Sequence, residues 1–204
     1  MWGGSRGFRK NSTLAMYFPS RSFTMKTIST GLLWAAALLP ATVSAQAAPS
    51  ASEKIKPLLF LEGQWKGQGW IMLGPGKRNE FNQTETVEQK LGGSIIAIEG
   101  RGTDAQDAKR VIHHAFATMA YDAPTATHRM RAYKADGNHI NALATVNPNG
   151  SVSWGFDMPK MGKVRFTMEL NAKGQWHETG EFSPDGTKWY PNVGMTLDKT
   201  GKKS

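Results

Sequence analysis

The chain has 204 residues, no cysteine and a formal net charge of +9 at pH 7. The absence of cysteine excludes disulfides, thiolate zinc sites and cysteine nucleophiles. Its basic residues are scattered and form no stripe with base-reading elements, so the sequence does not indicate a nucleic-acid-binding protein.

The N-terminal region has the organisation of an export signal. Met25 and Lys26 precede the apolar run ISTGLLWAAALL at 28–39, and a small-x-small site ends at Ala45. This order predicts a cleaved secretory signal over 25–45. The run has about a dozen residues, fewer than the roughly 20 needed to span a bilayer. We therefore expect a periplasmic or secreted protein, cleaved near Ala45 and without stable membrane insertion.

Residues 1–24 precede this signal and show no apolar periodicity. Either the true initiator is Met25 and the upstream start is over-called, or the signal has an extended N-terminal region. Cleavage after Ala45 removes 5 of the 25 basic residues and none of the 16 acidic ones, leaving 20 against 16 and a charge of about +4. The basic residues removed are Arg6, Arg9, Lys10, Arg21 and Lys26.

The mature chain begins with a short leader, 46–56, in which Ser52 is the predicted cap of a brief helix over 53–56. From Trp65 onward the pattern alternates with period two, and turn signals recur every 8 to 12 residues. The pattern predicts ten strands, at 65–72, 79–90, 94–102, 111–121, 128–134, 139–146, 151–157, 163–170, 175–182 and 188–197.

The connections between these strands are too short for crossover helices, so neighbouring strands should be antiparallel. Closing the sheet would remove two aggregation-prone edges. We therefore predict an all-β fold, an antiparallel up-and-down barrel over 57–198 with a short N-terminal helix. A β-sandwich is the alternative, and 199–204 form a basic tail.

The segment FLEGQWKGQGW at 60–70 opens the first predicted strand. Its Gly63-x-Trp65 pattern, after a short helix, resembles the start of calycin (lipocalin-like) barrels, in which the tryptophan seals the closed base. The resemblance implies structural roles for Gly63 and Trp65, with Gly67 and Gly69 on the same side of the strand. A phosphate-binding loop is not indicated, because no strand-loop-helix context follows.

Later segments resemble a bacterial family of secreted calycin-like domains of unknown function. These segments are AYD at 120–122, RAY at 131–133, WHETGE at 176–181, SPDG at 183–186 with Trp189, and MTL at 195–197. The resemblance covers about 57–198 and implies a fold. It implies no ligand, because that family has no assigned activity.

The pattern G-x-W-x-G-x-G at 63–69 is also similar to that of the haem-binding nitrobindin barrels, which take their iron ligand from a histidine close to the C-terminus. The segment 189–204 contains no histidine, and His177 lies one predicted strand earlier. We therefore predict no cofactor, with haem as an open alternative. Adjacent His113 and His114 project to opposite faces of a strand and cannot share one ion, so no metal site is predicted.

Polar residues lie on strand faces that should be apolar. Gln83 and Glu85 share a face with Phe81 and Val87, and Glu178 shares one with Trp176. Arg101 shares a strand face with Glu99. Arg131 shares another with Arg129 and Tyr133. If these residues point inward, the barrel encloses a mixed pocket. If the register differs, they face solvent.

These patterns predict a protein that binds a small, partly hydrophobic ligand inside the barrel. In this hypothesis Arg131 and Glu178 orient the polar end of the ligand. The predicted ligand-binding residues are Trp70, Phe81, Glu85, Arg101, Arg131, Trp154, Phe166, Met168 and Glu178.

Two other functions remain open. A barrel enzyme would use Glu85 or Glu178 as a general base and Arg101 or Arg131 to hold an anionic substrate. The sequence has no nucleophile elbow and no carboxylate pair of diagnostic spacing, so no catalytic residue is assigned and an enzyme is the less favoured interpretation. The third is an envelope-interaction protein with a filled barrel. The ligand and the oligomeric state are left open.

Overall fold

The computed structural model describes residues 49–201, which belong to one compact unit, Gln46–Ser204. The predicted extended N-terminus, the signal and the start of the leader lie outside the described residues, as do the last three residues of the basic tail.

A short helix, α1 (Ala51–Ile55), begins the described chain. Its N-cap is Ser50, whose side chain accepts from the Glu53 N–H while the Glu53 carboxylate accepts from the Ser50 N–H. Ser52 as the cap is therefore wrong, because the reciprocal capping box starts two residues earlier. A 3-10 helix, Lys56–Leu61, follows with Pro57 in its first turn. None of the helices within 49–201 has the length and apolar character needed to cross a bilayer.

Ten strands follow, and their ends differ from the predicted ones by only a few residues. They are β1 (Gly63–Gly74), β2 (Lys77–Lys90), β3 (Ile95–Asp104), β4 (Val111–Asp122), β5 (Thr127–Lys134), β6 (His139–Val146), β7 (Val152–Met158), β8 (Gly162–Leu170), β9 (Trp176–Ser183) and β10 (Tyr190–Gly201).

Each strand pairs antiparallel with its neighbours in sequence, and β1 also pairs with β10, which closes the barrel. In this closing ladder Trp65 lies opposite Lys199 and Trp70 lies opposite Gly194. Closure leaves no free sheet edge. The predicted all-β, closed antiparallel barrel is confirmed, and the sandwich alternative is wrong.

The barrel end next to the helices, which we call the base, is filled with apolar side chains. Ile55, Leu58 and Leu61 are fully buried and pack against Trp65 and Trp176. The strands add further buried side chains to this cluster: Val87, Ile96, Met119, Met130, Val152, Met168 and Leu197.

Trp65 occupies the position expected of a residue that seals the base. Its ring meets Trp176 edge to face, with centroids 5.9 Å apart, and its Nε1–H donates to the Leu61 carbonyl at 2.7 Å. His128 fixes α1 from the side by donating from Nε2 to the Lys54 carbonyl at 2.8 Å. The base is thus closed by aromatic packing and by polar contacts to the two N-terminal helices.

Candidate ligand-binding cavity

The opposite end of the barrel, which we call the mouth half, contains a cavity of about 1620 Å³. All ten strands contribute to its wall, and Trp176 forms part of its floor. Small-molecule sites usually measure about 300–1,000 Å³. The cavity therefore has room for an organic ligand together with water.

An aromatic stack forms one part of the wall. The Trp154 ring stacks on Phe166 with centroids 4.2 Å apart and an interplanar angle of 12°, and Phe156 lies 6.2 Å from it. Gly180 leaves room for this stack, because a Cβ there would lie 2.7 Å from the Phe166 ring. The Trp154 Nε1 is buried and has no hydrogen-bond partner within the described residues.

Glu85 on β2 is a buried carboxylate beside the floor, 7% exposed. It lies opposite Trp65 of β1 and Gly100 of β3. Its Oε1 accepts from Gln83 Nε2 at 2.6 Å, whereas Oε2 has no partner within the described residues. A Cβ at Gly100 would lie 2.4 Å from Oε1, so this glycine makes the room that the carboxylate occupies.

Glu178 on β9 is the second carboxylate of the floor, two residues from Trp176. It is half-buried among Met168 of β8 and Met195 of β10, and the surface it keeps faces the cavity.

Both carboxylates have raised pKa values. Burial raises the pKa of Glu85 to about 7, against a lowering by the hydrogen bond from Gln83. Burial also raises the pKa of Glu178 to about 8, and the charge of Glu85 adds to this rise. The Trp176 indole lowers the pKa of Glu178, although its N–H falls short of a well-formed hydrogen bond. The pair therefore retains at least one proton near neutral pH.

The rim of the mouth carries apolar and cationic side chains. Leu73 and Met161 line it while 68% and 61% exposed. Arg110 pairs with Asp104 at 3.4 Å, and the Lys134 ammonium lies 2.7 Å from the carboxylate of Asp136. His113 also lines the cavity, and burial lowers its pKa, with smaller contributions from the charges of Lys134 and His114. Acidic groups thus lie at the floor and cationic ones at the rim.

The structure brings six of the nine predicted ligand-binding residues together in this cavity. Their binding role stays a prediction. They are Phe81, Glu85, Trp154, Phe166, Met168 and Glu178.

The other three predicted residues, Trp70, Arg101 and Arg131, lie on the outer face of the barrel, and their assignment to the interior is wrong. Trp70 stands between buried Gly69 and cavity-lining Ile71, and the Arg78 guanidinium covers its ring at 4.5 Å.

Arg101 and Arg131 are exposed because small or apolar neighbours take the inner positions of their strands. Gly100 lines the cavity beside Arg101, and Met130 and Ala132 line it on either side of Arg131. Successive strand residues point to opposite faces, so both guanidinium groups point away from the interior. Neither arginine can orient a ligand or hold a substrate anion there.

Three residues of the cavity received no role from the sequence. Gln83 orients Glu85, Gly100 makes room for it, and His113 stands nearer the rim. The sequence did contain a signal for this space, since a glycine stands on each side of Arg101. Two glycines on one face of a strand mark a place where another group approaches closely.

The histidines are arranged on different faces. His113 lines the cavity while His114 lies outside, 3.2 Å from Glu99, which confirms that the two diverge. His177 contacts Thr196 at 3.1 Å on the outer face, and β10 contains no histidine, so the chain does not fit the haem arrangement that the nitrobindin resemblance implies. Within 49–201, no three His, Cys, Asp or Glu residues form a group suited to a metal ion.

No protein-family model and no curated protein matches the chain. Among solved structures, it is similar to Rv2717c from M. tuberculosis, with a TM-score of 0.53 and 11% identity over 75% of this chain and 98% of that one. It is also similar to the S-type phycobiliprotein lyase CPES from Guillardia theta, with a TM-score of 0.52 and 11% identity over 76% of this chain and 94% of that one. At this identity the likeness concerns the fold, and it fits a calycin-like barrel.

Proposed function

We propose that this protein binds a small, partly apolar ligand in the mouth half of its barrel. One observation carries the proposal: the residues that line an open, mainly apolar cavity include three buried polar atoms without partners in the described chain, Glu85 Oε2, Trp154 Nε1 and Trp176 Nε1. A buried polar group left unpaired costs about 1–3 kcal/mol. These atoms have almost no accessible surface, so a ligand that pairs with them after a small side-chain shift would remove that cost.

The fold supports the proposal only in general terms. Closed barrels of this size enclose side chains or one small ligand, and fold alone does not specify a function. The third function inferred from the sequence, a filled barrel, does not describe the mouth half. The cavity there lies directly above the packed tryptophans of the base.

Catalysis is the second candidate, favoured by the raised pKa values of Glu85 and Glu178. A general base works best when its pKa lies near the working pH. The two arginines expected to hold a substrate anion face outward, however. Binding accounts for the same carboxylates without needing that missing partner.

Export is also part of the proposal, together with membership of the secreted calycin-like family of unknown function. The observation behind it is the signal pattern over 25–45. The test is the intact mass of protein recovered from the periplasm, which we expect to correspond to cleavage after Ala45. An uncleaved mass in the cytoplasmic fraction would contradict export.

Nile red, a neutral apolar dye, tests interior binding when titrated into protein with isotope-labelled methionine methyl groups. The methyls of Met158, Met168 and Met195 line the cavity, so their NMR signals should shift on binding. Met119 is fully buried in the base and serves as the internal control. Dye binding that leaves the cavity methionines unchanged would contradict the proposal.

A further inference from the structure

Charge is segregated along the axis of the cavity. Glu85 and Glu178 are the acidic residues of its lining, and both lie at the floor. Arg110 and Lys134 lie at the rim, where each already has a carboxylate partner. A polar group that reaches the deepest part of the cavity therefore meets two carboxyl groups, and the cationic side chains of the described lining lie at the other end.

Within residues 49–201, the register neighbours of this pair on the adjoining strands carry no cation. Glu85 has Trp65 and Gly100 as its register neighbours, and Glu178 has Met168 and Met195. Gln83 holds one oxygen of Glu85, and Gly100 leaves space around the carboxylate. The other oxygen is buried and unpartnered, although a carboxylate can accept several hydrogen bonds.

An aromatic surface stands one row above the pair. Phe166 precedes Met168, the register neighbour of Glu178, by two residues on the same face of β8, and it stacks on Trp154. Aromatic faces attract cations, and ammonium groups in particular. The floor thus combines carboxylates with aromatic rings, which is the chemistry that recognises an organic cation.

We propose that the ligand carries a protonated amine, or another hydrogen-bond-donating nitrogen cation, which Glu85 and Glu178 bind at the floor of the cavity. The apolar body of the ligand then lies against the Trp154–Phe166 stack. This inference rests on the proposed interior binding function and specifies its ligand class. It also disfavours, above about pH 8, fatty acids bound with the carboxylate inward, because that charge would then face two ionised carboxylates.

Amine binding should depend on pH, because the pair must release a proton to face an ammonium group. The raised pKa values of the two carboxylates place this release between about pH 7 and pH 8. Affinity should therefore rise with pH across this range, by up to about tenfold per pH unit for each proton released. The other titratable residues of the described lining are Arg110, His113, Lys134, His139 and Tyr190, and all stand nearer the mouth.

Octylamine, 1-octanol and octanoate test the ligand class, since they share one chain length and differ in the polar end. In competition with Nile red at pH 8, the affinity of octylamine should exceed that of 1-octanol by about tenfold or more, and octanoate should bind weakest. Raising the pH from 6 to 8 should strengthen octylamine binding and leave 1-octanol binding nearly unchanged.

The double variant Glu85→Gln with Glu178→Gln tests the two residues. It should weaken octylamine binding about tenfold or more and 1-octanol binding much less, because an amide can still accept from a hydroxyl. Nile red has no donor for the floor, so its binding to the variant verifies that the cavity is intact. Glu99→Gln, on the exposed outer face, is the matched control and should change none of the affinities.

The outcomes separate this inference from the function on which it rests. If Nile red leaves the methyl signals of Met158, Met168 and Met195 unchanged, interior binding itself is wrong. If Nile red binds inside but the three octyl compounds bind equally, or octanoate binds best, interior binding stands and the amine assignment is wrong. Equal octylamine affinity in the double variant and the native protein would also overturn it.

Discussion

The two halves of the barrel interior are built from different side chains on the same ten strands. In the base, Trp65, Trp176 and Met119 fill the inward positions and are 2% exposed or less. In the mouth half, positions such as Gly100 and Ala132 carry little or no side chain and leave the cavity open. Packing in the base therefore supplies most of the stability, and small residues in the mouth half provide the space.

The polar groups follow the same division. The base satisfies the Trp65 N–H with the Leu61 carbonyl, whereas Glu85 Oε2, Trp154 Nε1 and, at the floor where base and cavity meet, Trp176 Nε1 have no partners in the described chain. Buried unpaired groups lower stability, and proteins retain them chiefly where function needs them. The contrast indicates that the base serves the fold and the mouth half serves the ligand.

The largest expected effect is on the base. Trp65→Ala should lower the free energy of unfolding by about 3–5 kcal/mol, because it leaves a cavity among packed side chains. Trp154→Ala in the mouth half should lower it by only about 1–2 kcal/mol, since Trp154 is half-buried and borders space that is already open. Urea unfolding of both variants measures the difference. Equal losses of unfolding free energy in the two variants would contradict the distinction between a stabilising base and an open mouth half.

The pH dependence of stability tests the carboxylates of the floor. Their folded-state pKa values exceed the ordinary value of 4.5, so the folded protein binds more protons and its unfolding free energy falls as pH rises from about 4.5 to about 8. Glu85 contributes roughly 3 kcal/mol of this fall in the free energy of unfolding. Urea unfolding at pH 5 and pH 8 should show this loss.

Glu85→Gln should reduce the loss of stability between pH 5 and pH 8, because the amide does not ionise. Glu99→Gln, whose carboxylate is exposed on the outer face, should leave it unchanged. A pH dependence between pH 5 and pH 8 that is the same in Glu85→Gln as in the native protein would contradict the burial of Glu85, because His113, whose pKa burial lowers, is present in both.

A smaller effect is expected at Gly100. Gly100→Ala should lower the unfolding free energy by about 1–3 kcal/mol, because the new methyl group would overlap the Glu85 carboxylate. Combining it with Glu85→Ala should abolish most of this loss, as a double-mutant cycle would show. Gly74→Ala, with no atom within 4 Å of the added Cβ, is the control and should change stability by less than about 0.5 kcal/mol. Equal losses at the two glycines would contradict the role of Gly100.

The smallest effect is expected at the rim. Leu73→Ala should change the unfolding free energy by no more than about 0.5 kcal/mol, because its side chain is already 68% exposed. Thermal or urea unfolding measures it. A loss as large as that of a base residue would mean that the rim packs against something in solution.

The sequence predicted the strands and their antiparallel order because period-two alternation and turn residues are local signals. It also predicted an inward Glu85, because Phe81 and Val87 on the same face marked that side as buried. Closure through β1 and β10 was inferred only from the need to remove edges. That pairing joins residues far apart in sequence, which no local pattern encodes.

The faces of three strands were misassigned where the inner side carries small residues. Arg101 alternates with glycines, and Arg131 alternates with Met130 and Ala132, so neither strand shows a strong apolar face. Trp70 is large and apolar, yet it lies outside under Arg78. Alternation defines two faces and does not say which is inner when the inner one is nearly empty, and an open cavity produces that situation.

Native mass spectrometry of the protein purified from its producing cells without added ligand tests the central claim most directly. We expect an extra small-molecule mass that is released on denaturation and displaced by octylamine. A bare protein mass that stays unchanged after incubation with Nile red, octylamine and 1-octanol would contradict ligand binding in the mouth half of the barrel.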